Sequence, residues 1–150
     1  MNTEQNGYEP ERSRALVAIR DRMEKEEHSQ VQIIRALVDD ELCFLQRRGR
    51  PWVRAWLFAG PGQPGPAEPD RVPLYALLID CSFRARAHQE TDPDYPGGFL
   101  WQIVVDSFQS HLLNWVLDPG EYDVRVKLLC HLDRVFSALT GPPASTPAAR

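Results

Sequence analysis

The chain has 150 residues, of which 43% are hydrophobic and 25% are charged, and its formal net charge is −4. This length allows one domain and leaves no room for a second core of useful size, and the composition is ordinary for a globular protein. The negative net charge argues against nonspecific binding of the whole chain to nucleic acid or to an anionic membrane. No apolar run reaches the roughly 18 residues that a membrane span needs, so we expect no contact with a membrane.

Three cysteines, Cys43, Cys81 and Cys130, lie far apart along the chain. An odd number of isolated thiols does not suit a disulfide framework and is typical of reduced cysteines inside a cell. The first residues are polar, and no apolar run near the start resembles a signal peptide. We therefore expect an intracellular, cytoplasmic protein.

The predicted elements follow the order α-β-β-α-α, which defines an α+β fold. We expect a single domain over residues 10–140, between a disordered N-terminus at 1–9 and a disordered tail at 141–150. The sequence contains no internal repeat.

Residues 10–48 carry the apolar periodicity of a long N-terminal helix. An unbroken helix of that length would extend roughly 58 Å, whereas a compact domain of this size is roughly 40 Å across. The helix therefore either breaks near His28, where Ser29 and Gln32 match a capping box, or projects into a partner subunit. A weak heptad pattern along the same segment leaves a coiled coil open.

A β-hairpin is expected to follow this helix. Gly49 and Pro51 match a helix stop. Residues 52–59 and 74–86 alternate in the manner of two strands, and the segment between them, 60–73, contains five prolines and three glycines. A two-stranded ribbon is marginal alone and leaves both edges unpaired, so we expect a homodimer or a higher oligomer.

Two helices are expected to end the domain. Residues 99–117 form the first, with a polar stripe at four-residue spacing. The tetrapeptide Asp118-Pro119-Gly120-Glu121 offers a capping residue, a proline suited to the first helical position and an acid at the capping-box position. It predicts a tight corner and a last helix from Pro119 to about Leu139.

Arginine and tryptophan alternate around the predicted start of the hairpin, a combination suited to protein interfaces and to contacts with nucleic acid. A symmetric hairpin would also bring the arginines of the second strand to the same end. The candidate binding residues are Arg47, Arg48, Arg50, Trp52, Arg54, Trp56, Arg84 and Arg86. Three interpretations stay open: an acidic protein partner, a nucleic acid, or arginines that merely pair with Asp39, Asp40 and Glu41 or lie solvated.

Within this stretch, Arg48-Gly49-Arg50-Pro51 resembles the core of an AT-hook. The resemblance covers four residues, and it implies a peptide that binds the minor groove of DNA. AT-hooks work as flexible segments flanked by further basic residues and prolines. Here the motif lies between a predicted helix and a predicted strand, and we infer no family membership from it.

No catalytic, metal or cofactor motif is present. The four histidines lack the short fixed spacing of metal ligands, and Cys130 and His131, although adjacent, point to different sides of a helix. Arg125 and His131 have the Arg-then-His spacing of some helical ribonucleases, but on a helix they would not share a face, so this spacing does not indicate a ribonuclease site. The glycines of residues 60–73 are separated by prolines, which remove the backbone donors of a phosphate-binding loop.

We therefore expect a non-enzymatic interaction module, an adaptor, regulator or inhibitor, that acts as a homo-oligomer through the Trp/Arg surface. A regulator that binds nucleic acid through the same arginines is the alternative. No cofactor is expected.

Overall fold

The computed structural model describes residues 8–59, 72–118 and 120–140, and within these ranges every regular element is an α-helix. The predicted tail at 141–150, most of the 60–73 loop and most of the N-terminal segment lie outside the described residues. The six helices are α1 (Tyr8–Lys25), α2 (Gln30–Arg48), α3 (Arg50–Leu57), α4 (Pro73–Ala87), α5 (Phe99–Leu117) and α6 (Val124–Thr140).

The predicted α+β fold is wrong, because both predicted strands are helices. Residues 52–59 lie mostly in α3, and residues 74–86 lie in α4. In α4 the buried residues Leu74, Leu77, Leu78 and Cys81 recur at helical spacing. Pro73 occupies the first turn, a position that suits a helix start. The alternation typical of a strand was therefore a weaker signal than the helical period in the same residues.

The long N-terminal helix breaks near His28, as one of the two alternatives proposed. Glu27 adopts a positive φ of 59°, and the His28 amide donates to the carbonyl of Met23, so α1 ends in a Schellman motif. The side chain of Ser29 accepts a hydrogen bond from the amide of Gln32, and the side chain of Gln32 accepts one from the amide of Ser29. The predicted capping box therefore starts α2.

Helix α2 is the centre of the fold and packs against α1, α3, α4 and α6. Its buried face includes Ile33, Leu37, Val38 and Leu42, all with no exposed surface. Two exposed ion pairs join α2 to α6: Arg35 binds Asp133, and Arg125 binds Asp39. These pairs connect an earlier residue of α2 to a later residue of α6 and the reverse, so the two helices run antiparallel.

Helix α5 matches its prediction at both ends. Its four-residue polar stripe, Gln102, Asp106, Ser110 and Asn114, lies exposed. The opposite side is buried around Phe108 and Leu112. Although α5 is rich in apolar residues, no described helix is both long enough and apolar enough to cross a membrane.

The predicted corner before α6 is only partly right. Asp118 ends α5, but its carboxylate accepts a hydrogen bond from the amide of Gly120 and so closes a turn. The N-cap role belongs to Asp123, whose side chain accepts from the amide of Val126, and α6 begins at Val124. The predicted start at Pro119, itself outside the described residues, is therefore wrong by about one helical turn.

Candidate interaction surface at the α2–α3 corner

The corner between α2 and α3 is made by a single glycine. Gly49 has a φ of 89° and a ψ of 158°, and its amide donates to the carbonyl of Leu45. A side chain at this backbone conformation would be strained, so glycine ends α2. Pro51 lies in the first turn of α3 and allows a new helix to begin at once. The predicted helix stop is thus confirmed, but a helix follows it instead of a strand.

The guanidinium of Arg48 lies over two aromatic rings at this corner. Its guanidinium carbon lies 5.3 Å from the centroid of Phe44 and 5.4 Å from that of Trp52, and the two rings meet edge to face at 6.2 Å. Arg12 lies 4.6 Å from the same Phe44 ring. The Arg48 side chain is exposed, and it makes no ion pair with any described residue. The corner therefore presents a positive charge that aromatic rings hold in place.

The two tryptophans of α3 have different environments. Trp52 is half-buried, whereas Trp56 is 7% exposed and belongs to the core with Val53. Their rings stack at 6.3 Å because residues four apart share a face of a helix. Of the predicted binding tryptophans, Trp52 alone reaches the surface, and Trp56 contributes to packing.

Arg50 and Arg54 lie on the other flank of α3. The guanidinium carbon of Arg50 lies 5.7 Å from the ring centroid of Trp115, and Arg50 Nη2 donates to the carbonyl of Gly120 at 2.8 Å. Arg50 therefore connects α3 to the α5–α6 turn. Arg54, four residues later, is exposed and pairs with no described carboxylate. Arg54 is about 200° from Trp52 around the helix. The corner therefore divides its arginines between two flanks.

Arg84 and Arg86 do not join the other arginines. The carboxylate of Glu90, just beyond α4, accepts from the amides of Gln30 and Val31 at the start of α2. The end of α4 therefore lies at the start of α2, roughly 27 Å along that helix from Arg48. Arg84 binds Glu24 and Asp80, and Arg86 donates to the carbonyl of Tyr95. The expected meeting of Arg84 and Arg86 with the arginines of the corner does not occur, because it depended on the hairpin.

The third interpretation had two parts, and only the first, in which the corner arginines pair with the acids of α2, does not hold. Asp39 binds Arg125, whereas Asp40 and Glu41 bind Arg12 of α1. These carboxylates are thus engaged with partners on other helices. Arg47 is exposed and, like Arg54, makes no ion pair in the described part of the chain.

The AT-hook resemblance does not extend to the structure. Arg48 is the last residue of α2, and Arg50 and Pro51 lie in the first turn of α3. The four residues therefore form a fixed helix–helix corner, whereas AT-hooks are flexible segments. This geometry removes the structural basis for minor-groove binding by the motif.

A polar cluster between α5 and α6 was not foreseen from the sequence. Ser107 Oγ lies 3.1 Å from His131 Nε2, and His111 Nδ1 lies 2.7 Å from the carbonyl oxygen of Ser107. The two imidazole rings are 5.3 Å apart. Partial burial of its ring, His111 and Arg134 lower the pKa of His131. The pair lies 20 residues apart in sequence on separate helices, so no local spacing could have indicated it.

A metal site and a surface groove were the other possible functional sites, and neither is as well suited to binding a partner as the corner is. Within the described ranges, no group of three or more His, Cys, Asp or Glu side chains could hold a metal ion. An open groove of about 440 Å³ lies between the start of α2 and the end of α6. Most of its polar side chains bind one another or a helix end: Arg35 binds Asp133, and Glu90 caps α2.

Comparisons with known proteins identify no relative. No protein-family model matches the chain, and neither curated proteins nor solved structures yielded a match. The function must therefore be inferred from the geometry of this chain alone.

Proposed function

We propose that this protein is a non-enzymatic interaction module that binds an acidic segment of another protein at the α2–α3 corner. One observation carries the proposal: the consecutive exposed residues Arg47 and Arg48 have no carboxylate within ion-pair distance among the described residues, and Arg48 lies over two aromatic rings. Arg22, Lys25 and Arg134 are also exposed without an ion pair to a described residue, but none of these three lies over a described aromatic ring.

The charge balance supports an acidic protein partner over nucleic acid. The chain carries a net charge of −4, so a basic surface on it attracts acidic groups locally while the rest of the molecule repels a long polyanion. Nucleic-acid binding usually draws on several phosphate contacts along a basic footprint. Arg84 and Arg86 lie at the far end of α2 and are already engaged, which leaves a small footprint.

Aromatic and arginine side chains are the residues most often found at the energetic centres of protein interfaces. Trp52 and Arg48 lie together at this corner, and Phe44 packs beside them.

The proposal places the protein inside the cell, where its free thiols Cys43, Cys81 and Cys130 would stay reduced.

Self-association is a separate part of the proposal. The unpaired edges of a two-stranded ribbon no longer support it, because the described residues contain no strand. Light scattering after size exclusion, on untagged protein at low and high salt, tests it directly. A monodisperse monomer at tens of micromolar protein removes self-association and leaves the corner available to a different partner.

Binding to the corner can be tested by fluorescence anisotropy with a short labelled peptide of alternating Glu and Gly. A peptide with Gln in place of Glu and a DNA duplex of the same total charge serve as comparisons. We expect the Glu peptide to bind, and the double variant Arg47→Glu/Arg48→Glu to abolish binding. The matched control is Arg22→Glu/Lys25→Glu, which changes the net charge equally at exposed positions of α1.

Equal loss in the control variant would mean that net charge, and not the corner, attracts the peptide. Absence of binding by the native protein would refute the proposal. Preferential binding of the duplex, weakened steeply by salt, would establish the nucleic-acid alternative in its place.

A further inference from the structure

Arg48 differs from the other exposed arginines in that two aromatic rings flank its guanidinium. The rings are those of Phe44 and Trp52, at 5.3 and 5.4 Å. Phe44 and Trp52 also contact each other at 6.2 Å, so the rings form a fixed wall beside the charge. By contrast, Arg47 makes no ring contact or ion pair with any described residue.

A cation–π contact engages the positive charge of a guanidinium and leaves its N–H groups available as hydrogen-bond donors. The group is planar, and its five N–H bonds lie in that plane, where they match the two oxygens of a carboxylate. Among the described residues, Arg48 uses none of these donors on a carboxylate. A guanidinium held in this way loses less conformational freedom on binding than a free side chain does.

We infer that Arg48 is the specificity-determining residue of the corner and receives a carboxylate of the acidic partner in two parallel hydrogen bonds. This inference depends on the proposed function, since it names how the same surface recognises its partner. Arg47 supplies charge without orientation, and Arg48 supplies both. The ligand chemistry is a side-chain carboxylate of Asp or Glu in an acidic protein segment.

The distinguishing experiment replaces each arginine with lysine, which keeps the charge and removes the planar fork. With the labelled Glu–Gly peptide, we expect Arg48→Lys to raise the Kd about ten-fold, as for the loss of an oriented bidentate contact. Arg47→Lys is the matched control at the neighbouring exposed position, and we expect it to change the Kd by less than about two-fold.

A second variant tests the aromatic wall without changing any charge. Trp52→Leu should weaken peptide binding while Arg48 stays in place, and circular dichroism and urea unfolding of the same sample establish that the helices persist. Trp52→Phe, which keeps a ring, should restore most of the affinity. An Arg48→Lys protein that binds as tightly as Arg47→Lys would overturn the inference.

The two proposals fail in distinguishable ways. If the native protein does not bind the Glu–Gly peptide, both fail. If it binds, and loses binding in the Arg47→Glu/Arg48→Glu variant, but both lysine variants behave alike, charge attraction at the corner stands and recognition by an oriented Arg48 is refuted.

Discussion

Arg12 of α1 and Glu41 of α2 form an ion pair inside the protein, with Arg12 Nη2 2.7 Å from Glu41 Oε2. Their side chains are 9% and 1% exposed. Asp40 binds the same guanidinium at 2.7 Å, and the Phe44 ring lies against it. The pair joins the first two helices across 29 positions of sequence, beside the corner that we propose as the binding surface.

Removing one partner of this pair should destabilise the fold strongly. Arg12→Met removes the guanidinium that binds the buried Glu41 carboxylate, and we expect a loss of about 3–5 kcal/mol in the free energy of unfolding. Urea unfolding followed by circular dichroism measures it. Arg35→Met breaks an exposed ion pair and should cost less than about 1 kcal/mol. Similar losses in the two variants would contradict the burial of the Arg12–Glu41 pair.

The carboxylate of Glu90 should stabilise the start of α2. It accepts from two backbone amides there, and a negative charge at a helix N-terminus is favourable. We expect Glu90→Gln to lower the free energy of unfolding by about 1 kcal/mol, with a smaller loss at high salt. Glu121→Gln removes an exposed carboxylate elsewhere and serves as the control. No difference between the two variants would exclude this contribution.

Stability should fall as the pH drops below about 6.5, in part through His131. Its pKa is lowered in the folded protein by burial and by the nearby His111 and Arg134. The unfolded chain therefore takes up this proton at higher pH than the folded chain, and proton uptake favours unfolding. Urea unfolding at about pH 7.5 and about pH 5.5 should show a smaller loss for His131→Asn than for the native protein. An unchanged pH dependence would remove His131 from this effect.

The thiols of Cys81 and Cys130 should react at very different rates. Cys81 has no exposed surface, and burial raises its pKa to about 12, so little thiolate is present near neutral pH. Cys130 is exposed. Brief treatment with iodoacetamide followed by peptide mass mapping should therefore label Cys130 and spare Cys81 until the protein is unfolded in urea. Early labelling of Cys81 in the native state would mean that α4 opens readily.

Local signals in the sequence predicted several helix ends correctly. The capping box at Ser29 and Gln32 starts α2, and Gly49 ends it, because each depends on hydrogen bonds or backbone angles within a few residues. The bounds of α5 are also confirmed. The start of α6 was predicted wrongly: the sequence indicated Asp118 as the capping residue, but in the folded protein Asp123 caps the helix.

The error in the middle of the chain has a specific cause. Residues 52–59 alternate large and small side chains, which favours a strand, but Val53 and Trp56 also match a helical face. Short apolar segments fit both periods, and the available core decides between them. Here Val53 and Trp56 pack into a core shared with α5, which an isolated hairpin could not have provided.

The candidate surface was predicted in part. The sequence indicated Arg47, Arg48 and Trp52, and the structure places them at one corner. By contrast, Trp56 lies in the core, and Arg84 and Arg86 lie at the far end of α2. It also showed that Arg12 and Arg125 already engage the acids of α2, a result that depends on which helices are neighbours.

The sequence by itself determined where several helices begin and end, since caps, glycines and prolines act over a few residues. Only the tertiary structure decided that residues 52–59 and 74–86 are helical and which arginines keep their charge unpaired. Both outcomes depend on contacts between residues that are distant along the chain. Burial of an apolar face selects the helix over the strand, and an ion pair forms only where packing brings its two partners within reach.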